Sequence, residues 1–482
     1  MQMSNITDKI GAISTSQQVV IAGGGLAGLA AAKTLVDAGV PVILLESRSM
    51  LGGKVSSWRD DDGDWIESGL HVFFGAYVEI FDLMRELGIY DRILWKEHVL
   101  TYTLEGGARF AFHTWDLPSP LHLLPAIAGN RYFTIAEKLT LARALPKILF
   151  SSEDYYRRQD NLTYEEWHLK NGISRRMLHK MFLPMALALK FVPPAEISAK
   201  IVLDVTALFL RQDGASRMGF LDGAPEERLI APLADYIRAR GGLIRTNAKV
   251  CELLQNTDGL ITGVRLANGE EVHASQVILA LPIHQLNRLI PCAWRHDPYF
   301  ERLRYFEGVP VMTVQLWLDR QVTYINNILF SPDGIMPVYA DLGNTTPAYA
   351  CAGCSRIEAV VAPARNLMDW DDRAIIDQVW SHIQRLFPRT AAGAHIRKWS
   401  LVRIPQSVYW PRPGLDALRP VQRTPIANLY LAGGYTVQRF YDSMEGAVSS
   451  GRRAAAALLS DLRARRIAPP IALRPAPASA IS

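Results

Sequence analysis

The sequence predicts an α/β protein built on a Rossmann-type domain, with other segments inserted into it. Three observations predict this fold class: a short apolar strand at 19–22, a glycine turn that leads into an alanine-rich helix, and a second apolar strand that ends in Glu46. The glycines follow the spacing Gly23-x-Gly25-x-x-Gly28. With this spacing a diphosphate rests on the positive N-terminus of the helix while the acid binds a ribose hydroxyl, so we expect a bound dinucleotide.

The size and charge of the chain exclude several classes of protein. Its 482 residues exceed one compact core, so two domains are expected. The net charge of +5 comes without a dense basic run, which argues against nucleic-acid binding and suits weak attraction to an anionic membrane. Residues 1–16 show no secretory signal, and no apolar run approaches the roughly 18 residues of a membrane span. We therefore expect a protein that is soluble or rests, as a peripheral protein, on the cytoplasmic face of a membrane.

No metal site is expected from the cysteines or the acidic residues. Cys351 and Cys354 form a single C-x-x-C, for which a reduced, small apolar pair is favoured over a redox or metal role. Cys251 and Cys292 have the surroundings of strand or core residues. The acidic run at 60–64 is predicted to be a solvated hairpin loop, because it contains an Asp-Gly turn signal. The spacing of a calcium-binding loop is absent.

A second glycine element follows the strand that ends in the acid. Gly52 and Gly53 precede Lys54, so that backbone and positive charge can wrap around the same diphosphate. Such an element is typical of flavin enzymes rather than of simple NAD dehydrogenases. The alternative interpretation is a surface turn.

A glycine- and aromatic-rich stretch comes next. Gly69 and Gly75 bracket His71, Phe73 and Phe74, and small residues there would let a flat ring system lie against the backbone beside aromatic walls. For the histidine, a packing or hydrogen-bonding role is favoured over that of a proton acceptor.

Two apolar stretches interrupt the cofactor motifs. A helix is predicted at 135–150, where leucines alternate with Lys138, Arg143 and Lys147. Such a basic amphipathic helix can lie in a bilayer interface, and equally can cover the protein's own core. The Met- and Leu-rich run at 183–192 has the composition of a core helix, and also that of an apolar tunnel wall.

Strand signals then return, which divides the chain into segments. Strands are predicted at 241–250 and 276–282, with a hairpin turn at Asn268-Gly269 between them, and a last strand at 426–436 precedes a helix that begins near Ser443. The expected organisation is a disordered tail at 1–16, a cofactor-binding domain in three segments at 17–110, 225–292 and 401–460, a mainly helical substrate and membrane-associated domain at 111–224, a second substrate segment at 293–400, and a disordered tail at 461–482.

Together these motifs resemble the FAD-dependent carotene desaturases of the plant and cyanobacterial type, within the amine-oxidase superfamily. The resemblance extends over roughly 17–460 and rests on five stretches in addition to the glycine fingerprint: 51–55, 62–77, 95–98, 220–229 and 443–448. It implies an amine-oxidase-like flavoprotein fold, with an inserted α+β substrate domain and a helical part that faces a membrane.

The resemblance also implies which residues hold FAD. Those expected to bind the cofactor are Gly23, Gly25, Leu26, Ala27, Gly28, Glu46, Ser47 and Val250 at the adenosine half, Gly52, Gly53 and Lys54 at the diphosphate, and Gly69, Leu70, His71, Gly433, Gly434, Met444, Glu445 and Ala447 towards the flavin. Because the flavin performs the chemistry, no catalytic side chain is certain, and the candidates are His71, Phe73, Phe74 and Tyr77.

The motifs point to two branches of this family. The stretch at 220–229 resembles the phytoene desaturases, whereas 434–446 resembles the ζ-carotene desaturases. Two departures affect the site. Gly434 stands where an acid commonly contacts the ribityl chain, and Leu208 stands where the phytoene enzymes commonly have an arginine.

The expected function is desaturation of a C40 carotene by hydride transfer to flavin N5. The implied partners are a long apolar polyene, a quinone as electron acceptor and a membrane surface on which the protein is monotopic; a homo-oligomer is left open. One alternative is an FAD enzyme of the same superfamily that acts on a triterpenoid, a porphyrinogen or an amine. Another is a flavoprotein subunit without catalytic activity.

Overall fold

A computed structural model describes residues 18–115 and 117–467 and contains both strands and helices. The strands are β1 Val19–Ala22, β2 Val42–Leu45, β3 Ser57–Arg59, β4 Trp65–Glu67, β5 Phe73–Phe74, β6 Ile93–Trp95, β7 Val99–Thr103, β8 Arg109–His113, β9 Met218–Leu221, β10 Leu243–Arg245, β11 Val250–Gln255, β12 Ile261–Leu266, β13 Glu271–His273, β14 Gln276–Leu279, β15 Val311–Leu318, β16 Leu329–Phe330, β17 Val338–Asp341, β18 Ser355–Val361, β19 Ile396–Ile404 and β20 Leu429–Leu431. The helices are α1 Leu26–Asp37, α2 Glu79–Glu86, α3 Leu123–Gly129, α4 Ile135–Leu149, α5 Glu153–Arg158, α6 Tyr164–Lys170, α7 Arg175–Met177, α8 Leu183–Lys190, α9 Ala199–Arg211, α10 Ala231–Ala239, α11 Ile283–Leu289, α12 Pro298–Glu301, α13 Leu342–Thr345, α14 Asp372–Leu386 and α15 Met444–Ile467.

A five-stranded parallel sheet forms the centre of the dinucleotide-binding part, with the strand order β10-β2-β1-β14-β20. All four residues of β1 are completely buried, because Val19 and Ile21 pack in one cluster with α1, whereas Val20 and Ala22 pack in another with residues of β12. The strands come from all three of the predicted cofactor-binding segments. The predicted fold class is therefore confirmed, and strands from these three parts of the chain share one sheet.

A second, seven-stranded sheet has the order β19-β15-β18-β17-β16-β7-β8. Apolar residues of α14, including Ile376 and Val379, pack in one cluster with Val314 and Leu316 of β15. Both β7 and the start of β8 precede residue 111, and β19 extends past residue 400. The second sheet therefore begins and ends beyond the segment boundaries that composition indicated, because its edge strands follow the cofactor motifs without a change in apolar content.

The stretch 160–224 is largely helical, as predicted, but it also contains β9. This strand lies between β5 and β6 in a small antiparallel sheet and is buried along its whole length. Because both faces of β9 are covered, its residues Met218–Leu221 show no polar alternation that would have revealed a strand.

The expected tail at 461–482 is too long, since α15 continues to Ile467. Asp461 anchors this end, as it accepts hydrogen bonds from Tyr430 Oη at 2.9 Å and Arg423 Nε at 3.0 Å. The expected tail at 1–16 and residues 468–482 lie outside the described residues. In the described part, no helix has both the length and the apolar character required to cross a bilayer.

The cysteines differ from expectation. Cys351 and Cys354 are joined by a disulfide in the turn before β18, so the prediction of a reduced pair is wrong. The turn brings their Cα atoms to 5.6 Å, a separation that permits the bond. Cys251 does lie in a strand, but its side chain and that of Cys292 are exposed, so neither belongs to the core.

The acidic hairpin between β3 and β4 holds a lysine. The ammonium group of Lys398, on β19, lies 2.7 Å from carboxylate oxygens of Asp60 and Asp62 and 2.6 Å from one of Asp64. The ammonium therefore occupies the position between the carboxylates that a cation would take, and it ties the hairpin to the second sheet.

Candidate functional site

The glycine turn connects β1 directly to α1. A Cβ built on Gly28 would overlap the carbonyl oxygen of Gly23, so only glycine lets the helix lie this close to the end of the strand. The helix begins at Leu26 after Gly25, no side chain caps it, and its first turn contains no acid. Its N-terminal N–H groups and positive dipole end therefore remain available for an anion, and Leu26 and Ala27 lie in this turn as predicted.

Glu46 follows β2 and is almost completely buried beside the glycine turn. Its Oε2 accepts a hydrogen bond from Gly24 N at 2.7 Å, and its Oε1 accepts one from Ser47 Oγ at 3.0 Å. The backbone N–H of Ala248 donates to the Glu46 carbonyl at 2.8 Å, which brings the start of β11 at Val250 next to the acid. The predicted adenosine-side residues are thus brought together.

The turn at Gly52 lies on the first glycine turn. Gly52 N donates to Gly24 O at 2.9 Å, and Gly25 and Gly52 form a parallel bridge. Arg48 Nη2 donates to Gly53 O at 2.8 Å. Sequence reasoning missed this arginine, although its place two residues after the acid was a signal. It joins the adenosine side of the site to the diphosphate side.

The turn that contains the C-terminal glycines is joined to the diphosphate turn by an ion pair between Lys54 and Asp442. The ammonium group of Lys54 lies 2.9 Å from Asp442 Oδ2, just before α15. Gly433 N donates to Ser450 Oγ at 2.9 Å, which fixes the end of β20 against that helix. Gly434 belongs to the same turn, and Met444 and Ala447, both partly buried, occupy the first two turns of α15.

Glu445 is placed differently from the other predicted cofactor residues. Its side chain is completely buried, and burial raises its pKa. Oε1 accepts hydrogen bonds from the backbone N–H groups of Val78 and Glu79 at 2.9 and 2.8 Å, and Oε2 accepts one from Ile80 at 2.9 Å. Both oxygens thus cap the N-terminus of α2. Glu445 positions the segment before α2 instead of presenting a carboxylate to the site.

The segment that begins at Ser68 joins the two sheets. Ser68 Oγ donates to Lys54 O at 2.9 Å, while Thr313 Oγ1 of β15 donates to Ser68 O at 3.2 Å. The partly buried Gly69 and Leu70 follow directly. The predicted flavin-side backbone therefore lies between the diphosphate turn and the seven-stranded sheet.

His71 uses both ring nitrogens in hydrogen bonds. Its Nε2 lies 3.0 Å from Lys54 O, which accepts only, and its Nδ1 lies 3.1 Å from Glu67 Oε2. Tyr349 Oη donates to the other oxygen of Glu67 at 2.7 Å. Because a carbonyl oxygen only accepts, Nε2 is the nitrogen that donates to Lys54 O, and Nδ1 faces the carboxylate of Glu67. This geometry favours the hydrogen-bonding role of the histidine.

The predicted aromatic walls belong to two groups, and Tyr77 contacts both, because its ring lies 6.2 Å from that of Phe81 as well as near that of Phe74. Phe73 is completely buried and stacks on Phe81 of α2 at 6.2 Å, so it belongs to the core and the expectation that it lines the site is wrong. The partly buried Phe74 stacks on Phe209 at 4.9 Å, and Tyr77 meets its ring edge-on at 5.7 Å. The alternating directions of side chains in β5 explain the separation, since neighbouring residues face opposite sides.

Leu208, where the phytoene enzymes commonly have an arginine, is buried beside this second group. It packs with Ala76 and Ala215, and Phe209 lies against the same cluster. The apolar side chain therefore fits an apolar contact, and an arginine would need a partner that this cluster does not contain.

A small cavity of about 10 Å³, which is room for about one water molecule, lies beside the histidine. Its polar lining includes Glu67 and His71, and its apolar lining includes Leu70 and Phe220. Lys96 is almost completely buried, and its ammonium group lies 5.5 Å from the ring centre of Phe220, one of the residues that line the cavity. It donates to Thr345 O at 2.7 Å, and burial lowers its pKa to about 8.

The sequence matches a known family over most of its length. The family model of the flavin containing amine oxidoreductases matches residues 26–459. The chain belongs to this family. Within it, the protein is 41% identical over 454 residues to 15-cis-phytoene desaturase of Synechococcus elongatus, covering 92% of this chain and 96% of the relative. It is 37% identical over 480 residues to zeta-carotene desaturase of Synechocystis sp., covering 92% and 97%.

Solved structures agree on the fold. Putrescine oxidase bound to putrescine superposes with a TM-score of 0.69 at 17% identity, covering 92% of this chain and 99% of that one. A putative protoporphyrinogen oxidase from Exiguobacterium sp. gives 0.68 at 19% identity, covering 93% and 99%. This flavoprotein therefore has the amine-oxidase fold, and the relatives identify it as an oxidoreductase of the carotene desaturase type.

The residues present fit a flavin nucleotide. The uncapped helix start can receive phosphate oxygens, the buried Glu46 can bind ribose hydroxyls, and Lys54 adds positive charge between them and the C-terminal turn. The individual cofactor contacts stay predictions.

Proposed function

We propose that this protein is an FAD-dependent desaturase of a C40 carotene, of the 15-cis-phytoene or ζ-carotene type. The observation that carries the proposal is the 41% identity to a 15-cis-phytoene desaturase over nearly the full length of both chains. FAD is favoured over smaller flavins because the glycine turn and Glu46 provide for an adenosine half.

The bound flavin supplies the hydride acceptor, at its N5 atom. The task of the chain is to hold the polyene beside it and to keep water away. Phe74, Phe209 and Tyr77 form an aromatic group that suits a transient positive charge on the substrate, since ring faces attract cations. His71, held by its contact with Glu67, fastens the flavin-side backbone to Lys54.

A membrane surface is the proposed source of so apolar a substrate. Several large hydrophobic side chains are exposed within one stretch of the sequence, namely Trp115, Leu117, Leu121, Ile135, Leu139 and Phe150. Exposed Arg131, Arg143 and Lys147 lie among them, as expected for a surface that meets anionic headgroups. We therefore propose a monotopic protein on the cytoplasmic face, with a membrane quinone as electron acceptor.

Expression in cells that accumulate 15-cis-phytoene, and separately in cells that accumulate ζ-carotene, tests the proposal. We expect chromatography to show products with a longer conjugated chromophore in one of the two strains, which also identifies the branch. A protein that carries FAD yet leaves both carotenes unchanged would contradict desaturation and favour a non-catalytic flavoprotein subunit.

A further inference from the structure

The position that lacks an acid, Gly434, is filled by another residue's acid. A Cβ built on Gly434 would overlap Asp442 Oδ1 and would lie 2.5 Å from the Asp442 Cα. No side chain can therefore be added at 434 unless the turn before α15 moves. The space beside Gly434 is occupied by the carboxylate of Asp442, which lies eight positions further along the chain.

Asp442 is held firmly in this place. Its Oδ2 accepts hydrogen bonds from Lys54 Nζ at 2.9 Å and from Tyr409 N at 3.0 Å. The ammonium group of Lys190, itself buried, donates to the backbone oxygen of Asp442 at 2.9 Å. Burial alone would raise the pKa of this carboxyl, but the charges of Lys54 and Lys190 hold it below its ordinary value. Asp442 is therefore ionised.

The second oxygen of Asp442 is available to a ligand. Within 18–115 and 117–467, Oδ1 accepts no hydrogen bond, although a carboxylate oxygen has room for two. Lys54 belongs to the diphosphate turn, whereas Gly434 and Met444 lie at the predicted flavin end. Asp442 thus lies between the predicted diphosphate turn and the predicted flavin end of the site.

We propose that Asp442 is the ribityl-binding carboxylate of this protein and replaces the acid that is absent at Gly434. Lys54 orients Oδ2, and Oδ1 accepts a hydrogen bond from one ribityl hydroxyl. This inference rests on the proposed binding of FAD. The backbone at 442 approaches residue 434 so closely that only glycine fits there, and the carboxylate of Asp442 fills the space beside it.

The test compares cofactor affinities of the apoprotein and its Asp442→Asn variant. Each is titrated with FAD, with ADP, and with FAD analogues that each lack one ribityl hydroxyl. We expect the variant to bind FAD about tenfold more weakly or worse, because a charge-assisted hydrogen bond is lost. ADP, which occupies only the adenosine side, should bind both proteins equally. One analogue should bind the variant as well as it binds the wild type.

Asp333→Asn is the matched control, since Asp333 Oδ1 pairs with Lys180 Nζ at 2.7 Å elsewhere in the molecule. It should leave all affinities unchanged. If the Asp442 variant does not fold, the wild type is measured alone. It must then bind the analogue that lacks the contacted hydroxyl about tenfold more weakly than it binds FAD. An unchanged FAD affinity, or an equal loss for FAD and every analogue, would overturn the inference. A wild type that binds no FAD would instead contradict the proposed function.

Discussion

At the scale of single residues, buried charges position the candidate site. Glu445 is the clearest example, because it caps a helix 365 residues away along the chain. Lys96 and Lys190 are buried lysines, and burial lowers the pKa of each to about 8. These side chains organise backbone around the site rather than react.

Replacement of Glu445 by alanine should destabilise the protein by about 2–4 kcal/mol, because three backbone N–H groups at the start of α2 lose their acceptor. Urea unfolding at constant pH measures the change. Glu153→Ala, which removes an exposed acid from the first turn of α5, is the control and should change stability far less. Equal effects of the two substitutions would contradict the capping role.

Stability should rise with pH between about 8 and 10.5, because the unfolded chain keeps protons on Lys96 and Lys190 that the folded protein has lost. In Lys96→Met the slope of the unfolding free energy against pH should be smaller than in the wild type. The decrease should be at most about 1.4 kcal/mol per pH unit, which is the contribution of one proton. Unfolding free energies at pH 8 and pH 10 measure it. Lys249→Met, at an exposed position, should keep the wild-type slope. If Lys96→Met also keeps that slope, the assignment of this proton to Lys96 is contradicted.

Sequence reasoning succeeded where function depends on local spacing. The glycines at 23, 25 and 28 and the acid at 46 act on neighbouring backbone, so their spacing alone placed them. Asp442 and Glu445 lie within the motif at 434–446, but their partners lie in distant segments. No local pattern distinguishes a helix cap or an ion pair from a ligand contact. An aromatic side chain such as Phe73 suits the wall of a flavin site, but the face of β5 on which it lies directs its ring into the core, against Phe81.

At the scale of elements, α4 has apolar residues on both of its faces. Leu141, Ala144, Ile148 and Leu149 are buried, while Ile135 is 77% exposed and Leu139 is 52% exposed. The two sequence-based interpretations of this helix, a core cover and a membrane contact, are thus compatible. Burial of one face supports the first, and exposure of the other supports the second.

The double variant Ile135→Glu with Leu139→Glu should bind anionic liposomes about tenfold more weakly or worse, because it removes buried apolar area and adds negative charge. Co-sedimentation with vesicles measures the binding. Leu260→Glu changes an exposed leucine in the turn between β11 and β12 and should bind as the wild type does. Unchanged binding of the double variant would contradict contact through α4.

The helices and strands that the sequence predicted are those marked by an apolar run beside a clear turn or cofactor motif, such as β1, β14 and β20. One strand without such a mark, β9, is enclosed between β5 and β6 and shows no alternation. The disulfide was missed for a similar reason, because the spacing of two cysteines does not determine whether they are bonded.

At the scale of the whole molecule, three separate segments return to one parallel sheet and enclose a single site. The glycine turns at 23–28, 52–53 and 433–434 approach one another only because β1, β2 and β20 share that sheet. The segment around His71 fastens it to the seven-stranded sheet through Lys54 and Thr313. The proposed nucleotide site therefore lies between the parallel sheet and the seven-stranded sheet.

Anaerobic reduction of the bound flavin tests the central claim most directly. The purified, FAD-loaded protein is mixed in liposomes with 15-cis-phytoene or with ζ-carotene, and the visible flavin absorbance is followed; an amine such as putrescine serves as the comparison. Our account predicts that one of the carotenes bleaches the flavin and that the amine leaves it oxidised. Bleaching by the amine, with the flavin oxidised in the presence of both carotenes, would contradict it.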